Sequence, residues 1–287
     1  MTPDIVASIL AWRSDVGQGS YMGAAADYYA SLEPPYLPRN GPFQTVRELL
    51  MVRGVTRQDL LGNDVNQNDL LDSGQEQGGD ASAALDGGWS ALLTANSTEN
   101  NVDAAGKQRV NIQSADESAL QGIQGISGDV AHSIVTYRKQ TQLQGIANLL
   151  DVTNSSGQTA IDDDLFIQIA DHVAASDDSD VAGMININSA GVDVLACLPG
   201  MDRELAQAIV NYRQSSGFFA NVGSLLRVPG MNHDIFKQMA PLLTARSETF
   251  RITSEGRITS TGTRQRLQAI VHIASHEITT LAYREDL

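Results

Sequence analysis

Apolar residues first recur at helical spacing in Ile5, Ile9 and Trp12, which share one face of a helix predicted over 2–14. Thr2 is placed to cap that helix and Pro3 to open it. The pattern then breaks in "GQGSYMGAAADYYASLEPPYLPRNGPFQ". Pro34, Pro35, Pro38 and Pro42 exclude helix interiors, and four tyrosines with Phe43 can pin the segment to a surface, so an ordered loop is expected there. "TVRELLMVRGVTRQDLLG" reads as two short helices around Gly54. Residues 62–108 are polar and weakly periodic, a long functional loop or an insertion.

After residue 108 the pattern repeats. "VNIQSADESALQGIQGISGDVAHSIVTYR" begins at Val110 and "ININSAGVDVLACLPGMDRELAQAIVNYR" at Ile185, and their matching positions lie 75 apart. Asn111 pairs in this way with Asn186, Gly125 with Gly200, and Arg138 with Arg213. "DDDLFIQIADHV" matches "HDIFKQMAPLL" at an offset of 70, which leaves about five extra residues in the first copy, near "TNSSGQT". Each copy predicts four helices. Ser114 and Ser189 are expected to cap the first, with Ser114 and Glu117 as a capping box. A glycine turn at Gly125 or Gly200 leads to the second, capped in the later copy by Asp202 and ended by Gly217. Its apolar face is Leu205, Ala208, Ile209 and Tyr212. "IANLL" and "VGSLL" make the third; the fourth holds Leu165, Phe166, Ile169 and Val173, or Ile235, Phe236, Met239 and Leu242.

From residue 247 the period falls to two. Strands are expected at 248–258, 264–275 and 277–283, with turns at Gly256 and Gly262. The whole reads as α+β, mostly α: a duplicated helix-hairpin-helix (SAM-like) helical domain followed by an antiparallel β-meander. Its parts are 1–108 (N-terminal helices and polar loop), 109–175 and 184–246 (the two hairpin units), and 247–287 (the meander).

Charge changes how the hairpins are read. Acidic residues number 34 against 19 basic, for a net charge of −15, a balance that repels polyanions and suits a protein partner or a cation. A phosphate-gripping hairpin needs a Gly-hydrophobic-Gly turn with free N–H groups and a nearby base. Here Gly200-Met201-Asp202 puts an acid where the phosphate would sit, and Gly125-Ile126-Ser127-Gly128-Asp129 adds another. No nucleic-acid partner is therefore expected. Arg138 and Arg213 are expected to cap helix C-termini or pair with acids.

Residues 64–72, "DVNQNDLLD", place Asp64, Asn66, Asn68, the Leu70 carbonyl and Asp72 at positions 1, 3, 5, 7 and 9 of a calcium-type loop, with Glu76 as the late acid. Asp69 stands at the usual glycine and Gln75 at position 12, so a solvated polar loop is the alternative to a Ca2+ site. The acids Asp162 to Asp164 suit a helix N-terminus. His272 and His276 lie on a predicted strand, away from a helical zinc pair. Cys197 is expected as a small buried hydrophobe, and Trp12 and Trp89 as anchors. With no nucleophile elbow or P-loop, no enzyme is expected. No apolar run reaches about 18 residues and no signal peptide is visible, which predicts a cytosolic chain or a fragment without its anchor.

The order "LAWRSD", "GAAADYYASLEPPYLPRNGPFQTVRELLMVRGVT", "NINSAGVDVLACLPGM", "AQAIVNYR", "GFFANVGSLLRVPGM" and a terminal meander resembles the K-type minor pseudopilins of type II secretion systems (the GspK family), over residues 4–287. The resemblance implies an α-helical domain inserted into a pilin-type fold, the tail being its last strands, with an inner-membrane helix and early strands upstream. It implies a structural, non-enzymatic role at the tip of a periplasmic pseudopilus, in a hetero-complex with I- and J-type pseudopilins and in reach of secreted cargo. Such domains also carry calcium. Residues 62–108 are longer than the family connection, and Ala25 and Ala26 precede Asp27 where acids are common. Two other readings stay open: a DNA-uptake hairpin protein, and an enzyme with an unrecognised site.

Overall fold

The computed structural model describes residues 1–14, 22–67, 85–274 and 277–285. The chain divides into two compact units, Met1–Asn96 with Arg251–Ile270 and Thr280–Leu287, and Ser97–Phe250 with Val271–Thr279.

In the first unit, helix α1 (Pro3–Arg13) starts as its sequence dictates: the Thr2 side chain accepts from the Ile5 amide and proline opens the first turn. Its one buried residue is Trp12. The segment expected to be a loop contains a second helix, α2 (Met22–Ala30). Its alanines favour helix, and the first proline comes only at Pro34, so nothing breaks the helix before its end. A 3₁₀ turn, Val46–Met51, and helix α3 (Arg57–Leu61) flank Gly54, whose φ of 87 lets the chain reverse. Thr56 and Asp59 form a reciprocal capping box on α3. Trp12, Tyr29, Leu49, Val52, Leu60 and Leu61 make the core, with the Trp12 and Tyr29 rings edge to face at 5.1 Å. Trp89 packs against it from a further 3₁₀ turn, Gly88–Ala91.

In the second unit, strand β1 (Thr98–Asn100) lies within the stretch the sequence reads as polar loop. Strand β2 (Val110–Asn111) leads to helices α4 (Glu117–Gln121) and α5 (Gly128–Gln140), the 3₁₀ turn Ile146–Asp151, and α6 (Asp163–Ile169). Strand β3 (Val173–Ala174) returns to pair in parallel with β2. After β4 (Asp180–Ala182), which pairs antiparallel with β1, the same order runs again: β5 (Ile185–Asn186), α7 (Val192–Leu195), α8 (Arg203–Ser216), the 3₁₀ turn Val222–Arg227, α9 (His233–Met239) and β6 (Leu243–Thr244). β6 pairs in parallel with β5, so each segment is closed by its own first and last residues.

Val173 thus sits on a strand and not on the fourth helix, and the third helices are 3₁₀ turns. The first helix of each segment begins later than its serine. The N-caps are Asp116 and Gly191, because the Asn111 and Asn186 side chains each accept an amide two residues on, at 2.8 Å, and hold the serines in a turn. Phe166 and Phe236, both fully buried, meet edge to face at 5.6 Å in the core.

Strands β7 (Thr249–Arg257), β8 (Arg264–Ala274) and β9 (Glu277–Glu285) form one sheet in that order. Gly262, at φ 73, makes the first turn, whereas Gly256 lies inside β7. β7 leaves Phe250 and Ile252 exposed, and β9 leaves Ile278 and Leu281 exposed.

Candidate functional site

The hairpin turns are the natural place to look for a site. Gly125 and Gly200 take φ values of 102 and 72, which only glycine adopts without strain, and each turn delivers the chain to the long helix of its segment. Such a turn leaves the first N–H groups of the helix to be satisfied. On α8 the Asp202 carboxylate takes the Leu205 amide at 2.7 Å; on α5 the Ser127 hydroxyl takes Val130 and Asp129 adds charge in the first turn. The position a phosphate would need on α8 is filled by a carboxylate that would repel it.

The arginines and Lys237 of this unit are committed elsewhere. Arg203 pairs with Asp193 at 2.9 Å and Lys237 with Asp151 at 2.8 Å. The Asp151 hydrogen bond holds the Lys237 ammonium above its usual range. Arg138 and Arg213 stand in the last turns of α5 and α8, as expected, but among the described residues neither pairs with an acid: they donate to the carbonyls of Ile112 and Ile187, at 2.8 and 2.7 Å. Each clamps the long helix onto the turn that follows the first strand, and burial pulls the Arg213 pKa down. Arg109 and Arg246 both reach Asp171, at 3.3 and 2.6 Å, and Arg109 also holds Glu99 at 2.9 Å. This paired cluster lines one part of a cleft of about 310 Å³ that also touches Asn221 and Pro241. Nearby, the His172 ring meets Asp103 at 3.0 Å. Burial pushes the Asp103 carboxyl up, but the Lys107 amide, His172 and the Ala105 amide outweigh it and leave it below the usual range.

The first unit has its own buried polar centre. Glu48 is only 8% exposed and accepts from the Trp12 indole at 2.9 Å, from the Gln44 amide at 3.0 Å and from the Arg39 guanidinium. Burial raises its pKa, yet those donors, Arg39 foremost, bring it below the ordinary carboxylate range. Tyr29 accepts from the Arg53 amide and Tyr36 donates to the Met51 carbonyl, so two of the loop tyrosines do fasten the chain. The aromatic residues stand out in the sequence, but Glu48 does not, because its partners lie 36, 9 and 4 positions away.

Of the six residues read as a calcium loop, Asn68, Leu70, Asp72 and Glu76 lie outside the described residues. Asp64 is buried, with its charge acting on Arg284, and the Asn66 carbonyl accepts from Arg284 at 3.0 Å. These two do not by themselves make a cation site. Among the described residues no cluster of three or more His, Cys, Asp and Glu could hold a metal ion. His276 is also outside the described residues, while His272 meets the Thr249 hydroxyl at 3.3 Å. Cys197 is exposed and not buried: it follows α7 between the inward-facing Leu195 and Leu198, and its thiol donates outward of them to the Asp193 carbonyl. The acids at 162–164 behave as expected, Asp162 capping α6 with Asp163 and Asp164 in its first turn.

The chain carries a helix-hairpin-helix motif: residues 181–244 match the family model of that description. Residues 2–61 match the family model described as type II secretion system (T2SS), protein K, so the chain carries an N-terminal region of that kind. Among curated proteins the chain is similar to endonuclease/exonuclease/phosphatase family domain-containing protein 1 of Bos taurus, 29% identical over 150 residues, and of Mus musculus, 28% over 150 residues. In both cases the match covers 44% of this chain and 26% of the relative, so the chain spans about a quarter of the length of those relatives. No helix among the described residues is long and apolar enough to cross a membrane.

Proposed function

We propose that this chain is the periplasmic part of a K-type minor pseudopilin, a structural and non-enzymatic protein at the tip of a type II secretion pseudopilus, where it binds I- and J-type pseudopilins. The match of residues 2–61 to protein K carries this reading. The helical part is read as a duplicated, SAM-like pair of hairpin units, supported by the arginine clamps of Arg138 and Arg213, set 75 positions apart. The sheet of β7 to β9 supplies the last strands of a pilin-type fold. Three strands with Phe250, Ile252 and Ile278 open to solvent are marginal alone, which favours a partner surface.

On this reading the hairpins are scaffolding. Their turns keep the backbone shape that packs two helices together, while the capping acid and the committed arginines remove the affinity for phosphate. Mixing the chain with soluble forms of the I- and J-type pseudopilins from the same operon tests the reading. The expected result is one complex containing all three in size-exclusion chromatography at micromolar concentration. Elution of the chain alone, alongside an I–J complex, contradicts it.

A further inference from the structure

The first unit contains a second cleft, of about 330 Å³, on which three arginines converge from different elements. Arg47 comes from the 3₁₀ turn Val46–Met51, Arg251 from β7 and Arg284 from β9. The chain as a whole carries a net charge of −15, so this cleft runs against its overall balance. Arg47 donates to the Gln67 side chain at 2.7 Å and Arg284 to the Asn66 carbonyl at 3.0 Å. These are neutral acceptors, and each uses one donor of a guanidinium that has five. Among the described residues no ion pair within 4.0 Å joins any of the three to a carboxylate. Asp64 also lines the cleft and acts on Arg284, and it is the one acid among the described residues of a lining that holds three arginines.

Like charges brought together repel one another, and one that is partly buried has also lost part of its hydration. Arg284 registers both effects: burial first, and then Arg47, depress its pKa. An anion relieves that repulsion, and an arginine fork is suited to a carboxylate because it can offer two parallel N–H groups. The rest of the lining selects the kind of anion. Gln44 and Gln268 offer amide groups of the sort that bond a peptide backbone, and Ile270 and Leu281 offer apolar surface for the stem of a side chain. β9, which contributes Leu281 and Arg284, is an edge strand of its sheet, and an extended segment can add to such an edge.

We propose that the cleft of Arg47, Arg251 and Arg284 is a docking site for a glutamate- or aspartate-bearing segment of a partner protein. The proposal rests on the geometry of this unit and stands whether or not the chain caps a pseudopilus. A fluorescein-labelled peptide with three consecutive glutamates, titrated with the full chain at low salt, tests it; the glutamine counterpart and inorganic phosphate serve as the other arms. The expected result is saturable binding of the glutamate peptide that weakens with salt, about tenfold weaker binding of the glutamine peptide, and no competition by millimolar phosphate. Arg47→Gln and Arg251→Gln replace exposed residues, so the fold is retained, and each is expected to weaken binding about tenfold, the loss of one charge-assisted pair. Equal binding of the two peptides, binding unchanged in the double variant, or displacement by phosphate as effective as by unlabelled peptide would each overturn the assignment.

Discussion

Phe166→Ala is expected to lower the unfolding free energy by about 3–5 kcal/mol, the cost of deleting a large buried aromatic. Phe166 is fully buried and lies edge to face with Phe236, its counterpart in the other segment. The site has little freedom to collapse around a hole. A Cβ on Gly223 would stand 3.1 Å from both the Phe166 ring and Ala170, so the 3₁₀ turn Val222–Arg227 already lies directly against α6. The Asn221 side chain also bonds the Ile167 carbonyl at 2.8 Å and fixes that approach. Urea unfolding followed by far-UV circular dichroism measures the loss; a value below about 1 kcal/mol would mean that the two segments do not share a core.

Glu48→Ala is expected to cost about 2–3 kcal/mol, for a different reason: it leaves the buried Trp12 indole N–H without an acceptor and removes a charge-assisted pair with Arg39, whose own side chain still reaches water. The substitution removes the acceptor for the Trp12 indole, the Gln44 amide and the Arg39 guanidinium together. Glu48→Gln keeps a side-chain oxygen and loses only the charge, so its cost is expected to be smaller. The same carboxylate sets an acid limit. Its folded pKa lies below the ordinary value of about 4.3, so the unfolded chain takes up the proton first as pH falls. The stabilisation is complete above about pH 4.3 and is lost as pH drops through the depressed folded value. Melting midpoints measured from pH 7 down to pH 3 are expected to fall less steeply at the acid end in Glu48→Gln than in the natural protein. Parallel curves would show that Glu48 is not held in its charged form.

Much of this architecture can be read from the chain, and the exceptions share a cause. The long helices α5 and α8 declare themselves by apolar spacing, α8 also by Asp202 just ahead of it, and β7 to β9 by alternation. Ser114 and Ser189 look like caps, but Asn111 and Asn186 capture the local amides first, a competition that composition does not reveal. The paired strands β2 with β3 and β5 with β6 are two residues each, too short to carry a period. Helix α2 is hidden by the prolines that come after it. The arginine clamps, the Glu48 centre and the cleft of Arg47, Arg251 and Arg284 join residues far apart in sequence, so no local pattern announces them. Conversely, the acids at the hairpin turns are visible at once. Their meaning comes from the structure, where Asp202 occupies the helix terminus with its own side chain.

The most direct measurement of whether those hairpins are scaffolding is a titration of a short DNA duplex with the full chain at low ionic strength, followed by fluorescence anisotropy. Scaffolding predicts no change up to tens of micromolar protein, and none on lowering the salt further. Saturable binding that weakens steeply with added salt, and weakens again when the Gly125 or Gly200 turn is altered, would contradict it and return the hairpins to a nucleic-acid role.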